Sequence, residues 1–510
     1  MFVANRLRVF KPFTSAVRRQ ALLSLSHDAR AREVHLLILI EFNELTPALL
    51  ERFIKQGALP NFERFYNASI VFTTHTNEQL LDPWVQWPTV HSGVPYEMHG
   101  VAHMGDGGID LQYPGIAQLL SSAGVRVGVF GSMNLNYGHL NGYMIPDPWD
   151  RRQKTHPAWL APFYRVVSQQ VKDSSRYAIT GKQIVDLGTF LATHGLTAST
   201  ALACAKQLLD ERRDSGLRWR RAMLLDYIAY DVFRSLNKRF NVEFATFFSN
   251  STAHYQHFYW RDMEPEAFED ARPSSHPSLQ NAILDGYKSM DALLARFMQD
   301  YPNATLILCT AISQGARREV MLHDFHITDF NRLLDFVRLP RNRYRVAPMM
   351  SSEFHLISVT ADEAMAAEHS FQSLTLEGTP AFHVKREANK VVLSIRSRTE
   401  AKALDKRLSH PDGESVRFGD VAHMLEGSSS GVHGRTGALW IKTGRHRTVG
   451  DHVKLTDVAP TILQLFDVPT PAHMDGRSLI SGAVAQTSKD GSVRNRQRCL
   501  ETESVLAKID

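Results

Sequence analysis

The residues of this 510-residue chain best suited to chemistry fall into four short polar clusters: Glu41-Phe42-Asn43-Glu44, Asn250-Ser251-Thr252-Ala253-His254-Tyr255-Gln256-His257, Ile312-Ser313-Gln314-Gly315 and Gly431-Val432-His433-Gly434. They supply carboxylates, imidazoles and side-chain amides, the groups that ligate divalent ions and orient their ligands. If the segment after Asn250 is helical, His254 and His257 stand three apart on one face and could bind one ion together. The competing reading is a packed aromatic cluster, since Tyr255, Phe258, Tyr259 and Trp260 surround both histidines in the chain. Glu44 is either a third ligand or a cap, with Thr46, for the helix that follows; Glu41, two positions along an extended run from Asn43, points to one strand face or the other.

Other polar groups are less specific. Trp84 and Trp87 could wall a pocket by stacking on a base or sugar ring, or simply pack beneath a cap. Arg317 and Arg318 could hold an anion, and His323, Asp324 and His326 form a further possible ligand group or a solvated loop. No Walker-type glycine loop, Gly-x-Ser-x-Gly elbow or paired-cysteine motif occurs.

The elements that must position the clusters alternate between strand-like and helix-like. Leu36–Phe42 is a continuous apolar run of the kind buried in a parallel sheet. Thr46 and Pro47 then open a helix whose apolar face is Leu49, Leu50, Phe53 and Ile54, and Gly57 closes it. The pattern recurs at Val125–Gly131 after Gly115–Ala123, at Glu243–Ser249 after Arg220–Leu236, and at Thr305–Ala311 after Gln280–Met298. Such repetition predicts an α/β fold with a doubly wound, mostly parallel sheet and helices on both faces. Ligands bind such sheets beyond the C-terminal strand ends, where the clusters fall.

Two stretches break the pattern, about 147–215, helical and polar, and about 335–420, with short β-like runs at Ala381–Val384 and Val391–Ile395; either could cap the ligand edge. The expected organisation is a basic N-terminal segment over 1–32, one domain over 33–482 with these insertions, and a polar tail over 483–510.

Charge narrows the partners. The chain carries 58 Lys plus Arg against 53 Asp plus Glu, a net charge of +5. The first 27 residues hold Arg6, Arg8, Lys11, Arg18 and Arg19 and no acid, so the body is balanced and a nucleic-acid polymer is not an expected partner. That basic segment resembles an organellar transit peptide or is a plain surface extension. Apolar runs are too short to span a bilayer. The three cysteines, Cys204, Cys309 and Cys499, are too scattered for a disulfide framework, which points to a reducing, cytoplasmic setting.

Asn43 to Leu50 followed by Gly57-Ala58-Leu59-Pro60-Asn61-Phe62 resembles the opening of the alkaline phosphatase-like superfamily, in its type I phosphodiesterase and nucleotide pyrophosphatase branch. Further segments resemble that branch in the same order: Ser92 to Gly100, Gln256-His257 with Trp260, His433-Gly434, Leu455 to Leu463, and Met474-Asp475-Gly476-Arg477. The resemblance implies an alkaline phosphatase-like sheet and a metal-assisted reaction at a phosphoryl or sulfuryl group.

It also implies a depleted site. Where the family has an Asp after the first strand, this chain has Asn43; four before the first histidine it has Ala253; for an Asp-His-Gly triplet it has Ser313-Gln314-Gly315. His257 and His433 remain, both of one metal position in the family. The expectation is therefore one divalent ion at most, zinc first, on His257 and His433 with His254, or with Glu41 or, better placed, Glu44 as the carboxylate, and a site without any ion as the open alternative. The family spacing puts Asp82 at the nucleophile, while Thr89 carries a hydroxyl at a different spacing; Asn43, Asp82 and Thr89 are the catalytic candidates, and Trp84, Trp87, Ser313 and Gln314 the substrate-binding ones. The expected activity is hydrolysis or transfer at a phosphate ester, a diester first, on a small molecule or glycan, with at most one metal ion. The alternative is an inactive fold binding a nucleotide, glycan or protein partner in the old cleft.

Overall fold

The computed structural model describes residues 36–480 apart from 79, 102–111, 136–139, 151–152, 173–179, 269–273, 275, 318–321, 349–352 and 397–400. The basic segment, the polar tail and Arg318 lie outside the described residues. Nine strands form the central sheet: β1 (Leu37–Phe42), β2 (Ser69–His75), β3 (Val127–Phe130), β4 (Gly142–Ile145), β5 (Phe244–Ser249), β6 (Thr305–Cys309), a later strand Thr436–Lys442, and two-residue edge strands Arg447–Thr448 and Val453–Lys454. Their spatial order runs β4, β3, β5, β1, β6, Thr436–Lys442, β2. From β4 to β6 every pairing is parallel; Thr436–Lys442 runs antiparallel to both β6 and β2. The expected doubly wound α/β class is the class observed.

β1 sits between β5 and β6, and all six of its residues are buried. Strand alternation sends Ile38, Ile40 and Phe42 into one core and Leu37 and Leu39 into the other. Helices α1 (Pro47–Lys55), α3 (Arg221–Phe240), α4 (Ser251–Met263) and α5 (Ala282–Asp300) cover the first face through Leu50, Phe53, Phe233, Tyr255, Tyr287 and Phe297. On the second face lie α2 (Pro83–Ser92), through Trp87 and Val90, and the helix Val458–Leu465, through Val458 and Ile462. Burying each such side chain stabilises the fold by roughly 1.5–3 kcal/mol. Among the described residues no helix is long and apolar enough to cross a membrane.

The helix α1 shows how the sequence sets the entry to the site. Pro47 takes a first-turn position and Gly57, at φ +70°, stands just past the end, as expected. Thr46 occupies the N-cap position but its side chain makes no cap bond; its hydroxyl donates to the Gln314 carbonyl at 2.8 Å and meets Gln256 Oε1 at 3.1 Å. Glu44 does not cap the helix either. Its carboxylate is directed into the cleft, and its backbone takes φ +61°, a left-handed conformation unusual for a glutamate.

The two insertions differ in place. The first forms helices Ala161–Lys172, Gly181–Thr193 and Ala198–Arg213, and Leu160, Phe163, Phe190 and Leu191 join the first core beside Phe130 and Phe233. Gly195, in its turn, shares a cavity with Leu36 and Val242 at the N-terminal ends of β1 and β5, so that turn lies away from the ligand edge. The second has a separate core of Phe354, Leu356, Phe371, Leu393 and Leu408, built on an antiparallel four-stranded sheet and the helix Ala361–Gln372. It is carried on a two-stranded ribbon, Leu322–Ile327 with Ala422–Ser429. His323, Asp324 and His326 lie on that ribbon, in a regular strand and not in a loop. The ribbon leaves after β7 (Ser313–Ala316) and returns into β8 (Gly431–Gly434), which pair antiparallel with His433 opposite Gln314.

Candidate metal centre

Glu44 follows β1, His257 lies on α4 beyond β5, Gln314 follows β6 and His433 lies on β8. Because β5, β1 and β6 are adjacent and parallel, their C-terminal ends bring these residues to one edge of the sheet. Glu44 Oε2 stands 3.3 Å from His257 Nε2 and 3.5 Å from His433 Nε2. The three ligand atoms lie within 4.8 Å of one another. His433 Nε2 is buried without a hydrogen-bond partner, an unsatisfied lone pair or proton directed at the cluster.

The donor set fits a divalent ion. One carboxylate and two imidazoles match three-ligand zinc sites, in which a fourth position stays open. Burial by itself would raise the Glu44 pKa, but the imidazoles of His433 and His257 outweigh it and hold the carboxyl at about 2. Burial disfavours protonated His433, yet the Glu44 and Asp82 carboxylates prevail and raise its pKa.

Glu44 is held by three side-chain amides. Asn43 Nδ2 donates to Oε1 at 2.7 Å, Gln314 Nε2 donates to Oε2, and Gln256 Nε2 donates to the Glu44 carbonyl at 2.8 Å. Gln256 is fixed in turn by the Tyr287 hydroxyl, 2.8 Å from its Oε1. Asn43 Oδ1 accepts from Trp87 Nε1 at 2.7 Å, and Asn43 Nδ2 also donates to Asn250 Oδ1 at 2.7 Å. All of Asn43, Glu44, Gln256 and Gln314 are buried.

Asp82 is next to the cluster: its Oδ1 lies 3.4 Å from His433 Nδ1, so it faces the ring nitrogen opposite the one that meets Glu44. A carboxylate in that place fixes which nitrogen of a ligating histidine is free. Thr89 Oγ1 is 3.0 Å from His99 Nε2, while His99 Nδ1 accepts from Val101 N–H at 3.1 Å. Nε2 therefore carries the proton in neutral His99 and donates to Thr89, and burial lowers the His99 pKa to about 4. His99 is thus not arranged to take a proton from Thr89.

Several expected roles change. Asn43 offers no free oxygen to an ion or substrate. Trp87 is fully buried, so it is no stacking wall; Trp84 is partly buried against the second core. The segment after Asn250 is helical, but His254 packs on Phe258 at 4.7 Å between ring centroids and stays outside the ligand cluster. Ser313 is buried, its hydroxyl 3.4 Å from that of Thr436. Glu41 takes the other strand face and pairs with His91 at 2.8 Å. Asn250 and Gln256 stand in the polar clusters of the sequence without an assigned role, and no local signal marks Tyr287 or the Trp87 indole as partners of the site.

The fold and site together define an α/β chain with a candidate three-ligand group, Glu44 buried and His257 and His433 partly buried, at the C-terminal edge of its sheet. No family model matches the chain, and no curated protein matches it in sequence. Among solved structures, murine ectonucleotide pyrophosphatase/phosphodiesterase 5 aligns at 10% identity over 86% of this chain and 96% of that one, with a TM-score of 0.39. Phosphonoacetate hydrolase from Sinorhizobium meliloti 1021, in complex with phosphonoformate, aligns at 14% identity over 83% and 94%, TM-score 0.39. Wild-type alkaline phosphatase PafA aligns at 12% identity over 87% and 98%, TM-score 0.41.

Proposed function

We propose that the chain is a hydrolase of phosphate esters, phosphodiesters above all, working with one divalent ion on Glu44, His257 and His433. The observation that carries this reading is the convergence of Glu44 Oε2, His257 Nε2 and the unpartnered His433 Nε2. Three protein ligands leave a fourth position for water or substrate, which separates a catalytic centre from a closed structural one. Zinc suits one carboxylate with two imidazoles. When bound, such an ion lowers the pKa of its water and stabilises charge on a phosphoryl group.

The chain's own residues act around that position. Glu44 supplies the negative charge, Asp82 orients His433, and Asn43, Gln314 and Gln256 keep the Glu44 carboxylate and its backbone in place. Arg317, near enough to His433 to oppose its protonation, adds positive charge for an anionic substrate. The phosphate-ester class draws its support from the ordered sequence motifs, Asn43 to Leu50 through Met474 to Arg477. A small-molecule or glycan phosphoester in a reducing cytoplasm fits the balanced body charge and scattered cysteines.

Metal analysis of the purified chain, with hydrolysis of bis(4-nitrophenyl) phosphate, tests the reading. The expected result is zinc near one equivalent, with activity lost on chelation, restored by zinc, and lost in H257A and H433A. A chain that holds no divalent ion, or whose activity ignores both substitutions, is no such hydrolase; binding of a nucleotide or glycan without turnover then becomes the function of the cleft.

A further inference from the structure

The hydrogen bonds of Asn43 bear on how many ions the centre accepts. An indole N–H can only donate, so Trp87 Nε1, 2.7 Å from Asn43 Oδ1, fixes which end of the amide is oxygen. The flipped amide would set two donors against each other at Trp87 and two acceptors against each other at Glu44. Asn43 Nδ2 consequently points between two acceptors, Glu44 Oε1 and Asn250 Oδ1, each at 2.7 Å. Both of its hydrogens are used, and Asn43 is 1% exposed, so neither water nor a mobile ion competes for them.

A group bridging a carboxylate oxygen and an amide oxygen deep in a polar cleft is what a bound cation would be. We propose that the Asn43 amide, locked by Trp87, stands in the place of a second cation and makes this centre mononuclear. This rests on the metal reading of Glu44, His257 and His433. Two-ion sites hold their ions about 3.5–4 Å apart and need carboxylates to offset the charge. Here Glu44 Oε1 is already satisfied by the amide, leaving only Oε2, shared with Gln314, to face an ion. Asn43 and Trp87 are positioning residues: they set the direction of the Glu44 carboxylate and do not touch substrate.

The isosteric change Asn43→Asp keeps the acceptor for Trp87 but turns the bridging donor into a second carboxylate oxygen beside Glu44 Oε1. That pair of acceptors demands a proton or a cation. Apo-protein titrated with zinc, followed by calorimetry and native mass spectrometry, should show one ion per wild-type chain and two per N43D chain. Trp87→Phe removes the lock without removing the amide; it should still bind one ion, about tenfold more weakly, as expected for loss of an outer-shell partner. Near-UV circular dichroism of each variant confirms that it is folded. Two ions on the wild-type chain, or a single ion of unchanged affinity on folded N43D, overturns the proposal and leaves the hydrolase reading standing. A wild-type chain that binds no zinc overturns both.

Discussion

Asp82 Oδ1 lies 3.4 Å from His433 Nδ1, and that contact turns the opposite nitrogen of the ring toward Glu44. The loop carrying Asp82 is tied to the same strand region, because Arg435 Nη1 donates to the Glu78 carbonyl at 2.8 Å. Asp82→Ala should lower zinc affinity about 10- to 100-fold, the range seen when an outer-shell carboxylate is lost. Calorimetry on the apo-protein measures this. Activity abolished at full zinc occupancy would instead return Asp82 to the nucleophile role suggested by its spacing.

The position of His433 also depends on a close approach at Gly431. A Cβ there would fall inside van der Waals contact of the Gln256 carbonyl and Gln314 Oε1. Gly431→Ala should push β8 away from β7, cost about 1–3 kcal/mol in stability, and weaken zinc binding at least severalfold. Thermal unfolding with a zinc titration separates the two effects; equal affinity in the variant would show that β8 can move without moving His433.

Thr89 has its hydroxyl against a histidine that donates to it. Thr89→Val should therefore change kcat/KM for a diester by less than about tenfold, whereas loss of a true nucleophile costs several orders of magnitude. Steady-state kinetics at saturating zinc decides between them.

Asp226 offers a pH test away from the metal ligands. Its carboxyl is buried on α3, and desolvation pushes its pKa to about 7 against hydrogen bonds from Ser251 and Ser249 that favour the charged form. The native chain thus holds this proton more tightly than the unfolded chain, whose value is near 3.8. The resulting stabilisation is complete below about pH 4 and is lost as pH rises to about 7. Asp226→Asn should remove that loss, making the variant more stable than wild type at pH 8 by up to about 4 kcal/mol, with the difference vanishing near pH 4. Urea unfolding across that range measures it, and a pH-independent difference would contradict the assignment.

Much of the fold was legible because its signals are local. Leu36–Phe42 reads as a buried parallel strand from the apolar run Leu36–Ile40, against the observed Leu37–Phe42, and Pro47 and Gly57 mark the ends of α1 by their backbone preferences. The same locality explains the failures. The helical spacing of His254 and His257 says that they share a face, not what that face meets; His257 meets Glu44, while His254 meets Phe258. Period-two alternation likewise left two directions for Glu41, and only the assembled sheet sent it to His91.

The sequence by itself determined the element types, the order of the motifs and the identity of the groups available at the site: the glutamates Glu41 and Glu44, the histidines His254, His257 and His433, and amides where carboxylates might stand. The tertiary structure decided their roles. Asn43 became a donor to Glu44 because Trp87, on α2, took its oxygen, and Glu44 became the one carboxylate among the described residues that faces both His257 and His433 because β5, β1 and β6 lie side by side. Hydrogen-bond direction depends on which donor arrives from across the fold, and nothing in a local stretch of chain specifies that arrival.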